Sequence, residues 1–427
     1  MNSLRVAILA TGDELLNGSG CDTNTRDIAR LLGPAGYHIN TALCVPDNPE
    51  AIHRALHQLI SQQDVIICTG GLGSTGDDLT AKTVAQALGR PLEENPKAAD
   101  MIRKRYADRG RELDPGVLRQ AILPQKSIPL PNSQGTAPGF WLRQQNCDLF
   151  FLPGVPAEMR AMMINSVIPA LQRTKPGGAP LLRRSFGFFG LSEPQIEARI
   201  PYDELPAEVQ VAFSLDFPLV KLTLKAASPA AGDLLDEAEA LLVGTLGDYL
   251  VSRGDESMAE HVGALLRHAG IKLALAESCT GGLISHMLTS VAGASDFLER
   301  GAVTYADSAK IDWLNVSPAI ISTHGAVSEE CALAMATGLR TATQNDLTLA
   351  VTGIAGPGGG TQEKPVGTVF LALAAEGVSQ VRGYQFSGDR QQIQRMSAFM
   401  ALEWLRRFAL ESLNSAKTQL GPGDRLP

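Results

Sequence analysis

Three stretches in the last third of the 427-residue chain carry side chains able to do chemistry, each after an apolar run. LALAESCTGG ends in Ser278, Cys279, Thr280, Gly281 and Gly282, and a helical pattern, LISHMLTSV, follows. A serine in such a turn sits at a helix N-terminus, where unpaired N–H groups and the helix dipole can stabilise a developing oxyanion. The two glycines let backbone approach a ligand closely. Ser278 is equally a good helix cap, and Cys279 is a rival nucleophile. GAVTYADSAK supplies Tyr305 on a strand and Lys310 near a helix start. A lysine can serve a serine as base when burial lowers its pKa, and a tyrosine hydroxyl can relay the proton or hold the amine. A surface lysine and an ordinary strand aromatic would show the same spacing. VTGIAGPGGGTQEKPVGT carries Gly353, Ile354, Ala355, Gly356, Gly358, Gly359, Gly360 and Thr361. Its consecutive N–H groups could nest a phosphate, with a flexible hairpin loop as the alternative. It lacks the Gly-Lys-Ser/Thr end of a P-loop.

A second set lies near the N-terminus. ATGDELLNGSGCDTNTRDIA places Asp13 and Glu14 in a turn after the first strand, with Asp22 and Asn24 close behind. ICTGGLGSTGDDLT places Gly70, Gly71 and Thr75 in a glycine-rich turn, followed by Asp77 and Asp78. Paired carboxylates beside such a turn suit a divalent cation bridging phosphates, because hard cations take oxygen ligands. They also suit a cap on the helix LTAKTVAQALG. GTAPGF, with Gly135, and LPGVPAEM, with Pro153, add two more loops of ligand contact.

Both sets need a scaffold that gathers strand ends. From LRVAILA onward, residues 4 to about 170 alternate apolar strands with helical patterns, which implies a parallel sheet covered by helices. TNTRDIARLLGPAG reads as a helix with a Thr/Asn cap, closing on Gly36. TKPGGAP (174–180) reads as a linker. Residues 180–253 read as a small α+β unit suited to spacing or dimerisation, without the GxxG loop an RNA-binding KH domain needs. From 257 to about 415 strands and helices alternate again, closed by a long helix capped at Ser387 or Asp389, with a frayed tail after Ser412. The expectation is an α/β chain of three domains, 1–172, 180–253 and 257–415.

Composition narrows the partners. Asp and Glu outnumber Lys and Arg by 45 to 37, a net charge of -8, which argues against a broad nucleic-acid footprint. The local cluster Arg103, Lys104, Arg105, Arg109 and Arg111 reads as a solvated helix face. Six cysteines lie far apart with no CxxC pair. Cys44 and Cys68 read as buried thiols, which suits a reducing compartment. The N-terminus lacks the basic and long apolar regions of a leader, and no run is long enough to span a bilayer, so a cytoplasmic location is expected.

AESCTGG, VTYADSAK and VTGIAGPGGGTQEKPVGTV, in that order over roughly residues 257–410, resemble the C-terminal domain of the CinA family, the nicotinamide-nucleotide amidohydrolases. The resemblance implies cofactor-free hydrolysis of nicotinamide mononucleotide to nicotinate mononucleotide and ammonia. Ser278 would be the nucleophile, with Tyr305 and Lys310 assisting, Cys279–Gly282 around the substrate and the Gly353–Thr361 loop on its phosphate. Ala306 stands where family members often carry Ser. GDELLNG, DTN, GGLGSTGDDLT and GTAPGF resemble the molybdopterin-binding domain family as it occurs at the front of CinA proteins. This second resemblance implies a three-layer α/β domain that hydrolyses ADP-ribose to AMP and ribose 5-phosphate. A divalent metal would sit at Asp77 and Asp78, with K+ a further candidate ion. Asp13, Glu14, Asn24, Gly70, Gly71, Thr75, Gly135 and Pro153 would surround the nucleotide. GGLG replaces the GGTG turn of molybdopterin enzymes, and Ser74 the usual Pro. A homodimer with no membrane or nucleic-acid partner is expected. The competing expectations are a nucleotidyl transferase acting on molybdopterin and a non-enzymatic adaptor in DNA uptake or damage response.

Overall fold

The computed structural model describes residues 4–73 and 80–419. The chain divides into two compact units: Met1–Arg183 with Pro206–Gln210 and Lys225–Ala238, and Arg184–Leu205 with Val211–Leu224 and Glu239–Pro427. The segment expected as a separate middle domain is shared between them.

In the first unit Val6–Thr11 (β1) is buried at every position. Asp13–Leu16 (α1) and Thr23–Leu32 (α2) lead to Ile39–Val45 (β2), then Pro49–Gln62 (α3), Val65–Thr69 (β3) and Thr80–Ala87 (α4). Leu92–Glu94 (β4) and Ile122–Pro124 (β5) flank Pro96–Asp108 (α5) as a small antiparallel ribbon. Ile128–Leu130 (β6), Gly139–Gln144 (β7) and Cys147–Leu152 (β8) complete a sheet ordered β2-β1-β3-β8-β7-β6. The strands β2, β1, β3 and β8 are parallel, as expected, but β7 runs antiparallel to β8 and to β6. The two-residue connection at Gln145 and Asn146 is a hairpin, and only antiparallel strands can be joined that way.

Successive side chains along these strands face opposite cores. Ala7, Leu9, Ile66 and Cys68 pack under α3, α4 and α5, whereas Val6, Ile8, Val65 and Ile67 pack against α2, Pro156–Met162 (α6) and Ile168–Thr174 (α7). This is the three-layer architecture. Asp22, not Thr23 or Asn24, caps α2 by accepting the Thr25 N–H at 2.9 Å, and the helix ends at Leu32, four residues before Gly36. Cys44 is exposed, contrary to expectation, because β2 is an edge strand only half-buried, and at alternate positions; Cys68, in the interior strand β3, is buried. TKPGGAP is a strap, not a free linker. Gly178 N–H donates to the Gly36 carbonyl at 2.9 Å, and a Cβ on Gly36 (φ +82°) would come 2.3 Å from the Gly178 oxygen. Lys175 Nζ donates to the carbonyls of Asp64 and Asn146 and pairs with Asp148 at 3.1 Å.

Leu181–Phe188 (β9), Gln210–Asp216 (β10), Leu219–Ala227 (β11) and Leu250–Arg253 (β12) form a sheet ordered β10-β11-β9-β12, with Glu193–Glu197 (α8) and Ala231–Leu246 (α9) between them in sequence. Met258–His268 (α10) opens on a Ser257/Glu260 capping box. Leu273–Glu277 (β13), Leu283–Thr289 (α11), Leu298–Val303 (β14), Asp307–Leu314 (α12), Pro318–His324 (α13), Glu329–Thr343 (α14), Leu347–Gly353 (β15), Thr368–Ala375 (β16), Val378–Gln385 (β17) and Arg390–Gln419 (α15) follow. Their sheet is ordered β14-β13-β15-β16-β17, parallel through its first three strands and antiparallel in its last two. The leucines of β13 and β15 pack under α10, α11 and α15; the alanines on the other face lie under α14. Asp389 caps α15, accepting the Gln392 N–H at 2.9 Å, and the helix continues past Ser412. Among the described residues no helix is long and apolar enough to cross a membrane.

Candidate active site

β13 lies between β14 and β15, so the loops leaving its end and its neighbours' ends diverge. Open α/β sheets hold ligands in such crevices. Ser278 is the first residue beyond β13. Its N–H donates to the Val351 carbonyl of β15 at 3.0 Å, and Thr304 N–H, just past β14, donates to the Glu277 carbonyl at 2.8 Å. Three strand ends are thereby tied around one serine.

Lys310, on α12, is 1% exposed. Its Nζ donates to Ser278 Oγ at 3.2 Å, to the Thr304 carbonyl at 3.0 Å and to the Tyr305 carbonyl at 3.1 Å. Burial pushes its pKa below the ordinary lysine value, against the opposing pull of Asp307. An uncharged amine has two N–H bonds and one lone pair. In that form, N–H bonds directed at the two carbonyls would leave the lone pair toward the Ser278 hydroxyl, whereas the charged amine donates to all three oxygens. Cys279 is no match for Ser278, since burial pushes its thiol up to about 12.

Tyr305 stands two residues past the end of β14, and its ring is exposed. Only its carbonyl meets Lys310; its hydroxyl accepts from Arg390 Nη2 at 2.9 Å. Arg390 Nη1 donates to the Gly356 carbonyl at 2.6 Å, joining Tyr305 to the glycine loop. That loop is held through Lys364, whose Nζ donates to the carbonyls of His324 and Val327, both at 2.7 Å. Gly358, Gly359, Gly360 and Thr361 are exposed, while Ala355 and Gly356 are buried at its base.

The start of α11 does not serve as the oxyanion site the sequence suggests. The buried Glu277 carboxylate takes the N–H groups of Gly282, Ile284 and Ser285. Gly281 N–H goes to Ser278 O, whereas Cys279 and Thr280 N–H make no backbone hydrogen bond among the described residues. Thr280 Oγ1 and Thr304 Oγ1 are buried beside the site without partners.

Residues 255–409 match the family described as the CinA C-terminal domain, and residues 7–173 that described as a probable molybdopterin binding domain. A CinA-like protein of Syntrophotalea carbinolica is 52% identical over 406 residues, covering 95% of this chain and 98% of its own. The chain belongs to the CinA-like family. Another member, from Geobacter sulfurreducens, is 44% identical over 95% of this chain and 99% of its own. Among solved structures, a competence/damage inducible protein from Agrobacterium tumefaciens is 40% identical and covers 36% of this chain and 97% of that one, with a TM-score of 0.35. A CinA superfamily protein from Klebsiella pneumoniae is 33% identical and covers 36% and 96%, also at 0.35.

The first unit of this CinA-like chain repeats the arrangement. β1 lies between β2 and β3, and its end carries Thr11, Gly12 and Asp13. Asp13 and Asp47 exchange N–H to carboxylate contacts at 3.4 and 3.3 Å. Burial raises the Asp47 pKa, the Asp13 N–H and Thr11 hydroxyl hold it down, and the charges of Asp13 and Glu14 push it up again. Asn24 Nδ2 donates to the Gly154 carbonyl at 2.8 Å, and its Oδ1 is buried without a partner. Gly70 N–H donates to Leu152 O at 3.1 Å, bringing the turn of Gly70 and Gly71 beside buried Pro153. Gly135 sits farther along the same edge, its N–H on Asn132 Oδ1 at 2.8 Å and its carbonyl accepting from Arg105 Nε at 3.1 Å. Arg109 also donates to this loop, at Gln134 O, so two members of the basic cluster hold structure. Thr75, Asp77 and Asp78, with Ser74, lie outside the described residues. Among those described, no group of three or more His, Cys, Asp or Glu is arranged to hold a metal.

Sequence reasoning missed Asp47, Glu277 and Arg390. Arg390 had a readable signal, since a cation in the first turn of a long helix opposes its dipole and needs a reason to be there.

Proposed function

We propose that this CinA-like chain deamidates nicotinamide mononucleotide to nicotinate mononucleotide and ammonia at Ser278. The observation that carries the reading is the Lys310 amine, buried, hydrogen-bonded to two carbonyls and 3.2 Å from Ser278 Oγ. Ser278 Oγ attacks the carboxamide carbon as its proton passes to Lys310. The N–H groups of Cys279 and Thr280 are the oxyanion donors at hand. The C–N bond breaks, ammonia leaves with the proton from Lys310, and water, deprotonated by Lys310, cleaves the ester to free the acid and Ser278. The phosphate lies on the Gly353–Thr361 loop, which Arg390 anchors. The substrate itself is supported by the family resemblance and by a crevice offering both an activated hydroxyl and an anion loop.

The first unit, in the same reading, hydrolyses ADP-ribose to AMP and ribose 5-phosphate. Asp77 and Asp78, paired carboxylates following a glycine-rich turn in sequence, would hold the divalent cation; the cation's part would be to neutralise the diphosphate. Asp13, Asp47 and Asn24 line the edge where the nucleotide would sit.

Ammonia release from nicotinamide mononucleotide tests the first claim. Ser278→Ala lowers the rate by roughly 10³-fold or more, and Cys279→Ala retains activity. An unchanged rate in Ser278→Ala removes Ser278 as nucleophile.

A further inference from the structure

We propose that Glu277 is the positioning residue of the Ser278 nucleophile, acting through a buried clamp with Ser285 in a space left by Gly301. Glu277 is 0% exposed. Its Oε2 accepts the N–H groups of Gly282 and Ile284, both at 3.1 Å, and its Oε1 accepts the Ser285 N–H at 2.8 Å and hydroxyl at 2.6 Å. Four donors fill the acceptor directions of one carboxylate. The Ser285 hydroxyl fits only because residue 301, on the neighbouring strand β14, has no side chain; a Cβ there would come 2.7 Å from Ser285 Oγ.

The main chain of the same residue completes the clamp, since Glu277 O accepts the Thr304 N–H. Glu277 therefore holds both the strand neighbouring Lys310 and the helix start beyond the turn. For that helix start to fold back onto residue 277 the turn must reverse sharply, and Gly281 (φ +64°) and Gly282 (φ +94°) make the reversal. Ser278 lies in the arc so closed, which sets the 3.2 Å separation between Oγ and Lys310 Nζ. The clamp also removes the α11 N-terminus from use by an anion. A phosphorylated substrate must then place its phosphate on the Gly353–Thr361 loop.

The inference rests on Ser278 being the nucleophile, so its test uses a readout that needs no particular substrate. A fluorophosphonate phosphonylates an activated serine, the Oγ–P bond forming as the P–F bond breaks and fluoride leaves, and intact mass follows the rate. Glu277→Gln turns an amide donor toward N–H groups and slows Ser278 labelling about 100-fold, the scale of an ångström-sized misplacement. KM for nicotinamide mononucleotide stays within about twofold, and the pH of half-maximal labelling is unchanged because Lys310 is untouched. Ser285→Ala keeps the carboxylate and slows labelling about tenfold, which provides the measurement if Glu277→Gln does not fold. Wild-type labelling rates in the folded variants overturn the proposal. So does a loss confined to KM, or a moved pH limb, which would make Glu277 a charge partner of Lys310. A wild type unlabelled at Ser278 overturns the nucleophile and the clamp together. A wild type that is labelled but releases no ammonia overturns only the substrate.

Discussion

At the residue scale the decisive quantity is the charge on Lys310. Its pKa is depressed in the fold, so the folded state binds fewer protons there than the unfolded chain. That residue's contribution to stability is fully present above the unfolded lysine value and is lost as pH falls through the folded value. At neutral pH Lys310 therefore costs stability, and in the proposed reaction it would serve as the base. Activity should rise with pH along a limb set by Lys310. Asp307, exposed in the first turn of α12, is the largest influence holding that limb up. Asp307→Asn should move the limb to lower pH by roughly 0.1–0.7 unit, because ion pairs with an exposed partner are worth about 0.2–1 kcal/mol and one unit is about 1.4 kcal/mol. A pH–rate profile of ammonia release measures it. A limb that moves upward or stays fixed means the titrating base is not Lys310.

At the element scale, the site was legible where it follows strand ends and hidden where it depends on chain segments far apart. Ser278 and the glycine loop follow the buried strands β13 and β15, and Lys310 follows β14, an edge strand exposed at most positions; the order of strands and helices was enough to bring the three to one sheet edge. Arg390 meets Tyr305 across 85 positions, and no local pattern announces that contact. Glu277, at the polar end of LALAE, accepts the N–H groups of Gly282, Ile284 and Ser285, and no spacing in the sequence marks it for that. The antiparallel strand β7 was missed because its hairpin turn, Gln145 (φ +53°) and Asn146, lacks the usual glycine. One departure from the family's habit has a local consequence. Ala306 is the N-cap of α12 and has no side-chain acceptor for the helix's first N–H groups. With φ -79° and ψ 157° it already has the backbone of a cap. Ala306→Ser should stabilise the protein by about 1 kcal/mol, read as a rise of about 2–4 °C in Tm. An unchanged Tm with an ordered serine would show that α12 is held by packing alone.

At the scale of the whole molecule, the same topological device is used twice. In each unit one strand leads to a neighbour on one side and then to a neighbour on the other, β1 to β2 and β3, β13 to β14 and β15. Each leaves a crevice at its own strand end, and the groups gathered there differ. In the first unit they are carboxylates and an amide, Asp13, Asp47 and Asn24, with Asp77 and Asp78 following in sequence; in the second they are a hydroxyl, an amine and a glycine loop. On the proposed reading a divalent cation at Asp77 and Asp78 would serve the first crevice, whereas acyl transfer at Ser278 would use none. The two proposed activities should therefore fail separately. Asp78→Ala and metal chelation should each abolish AMP formation from ADP-ribose and leave ammonia release from nicotinamide mononucleotide within about twofold of wild type. Ser278→Ala should do the reverse. Assaying both products on the same preparations of full-length chain provides the comparison. Metal-independent AMP formation would remove the role given to Asp77 and Asp78, and loss of both activities in either variant would mean the two crevices do not work as independent sites.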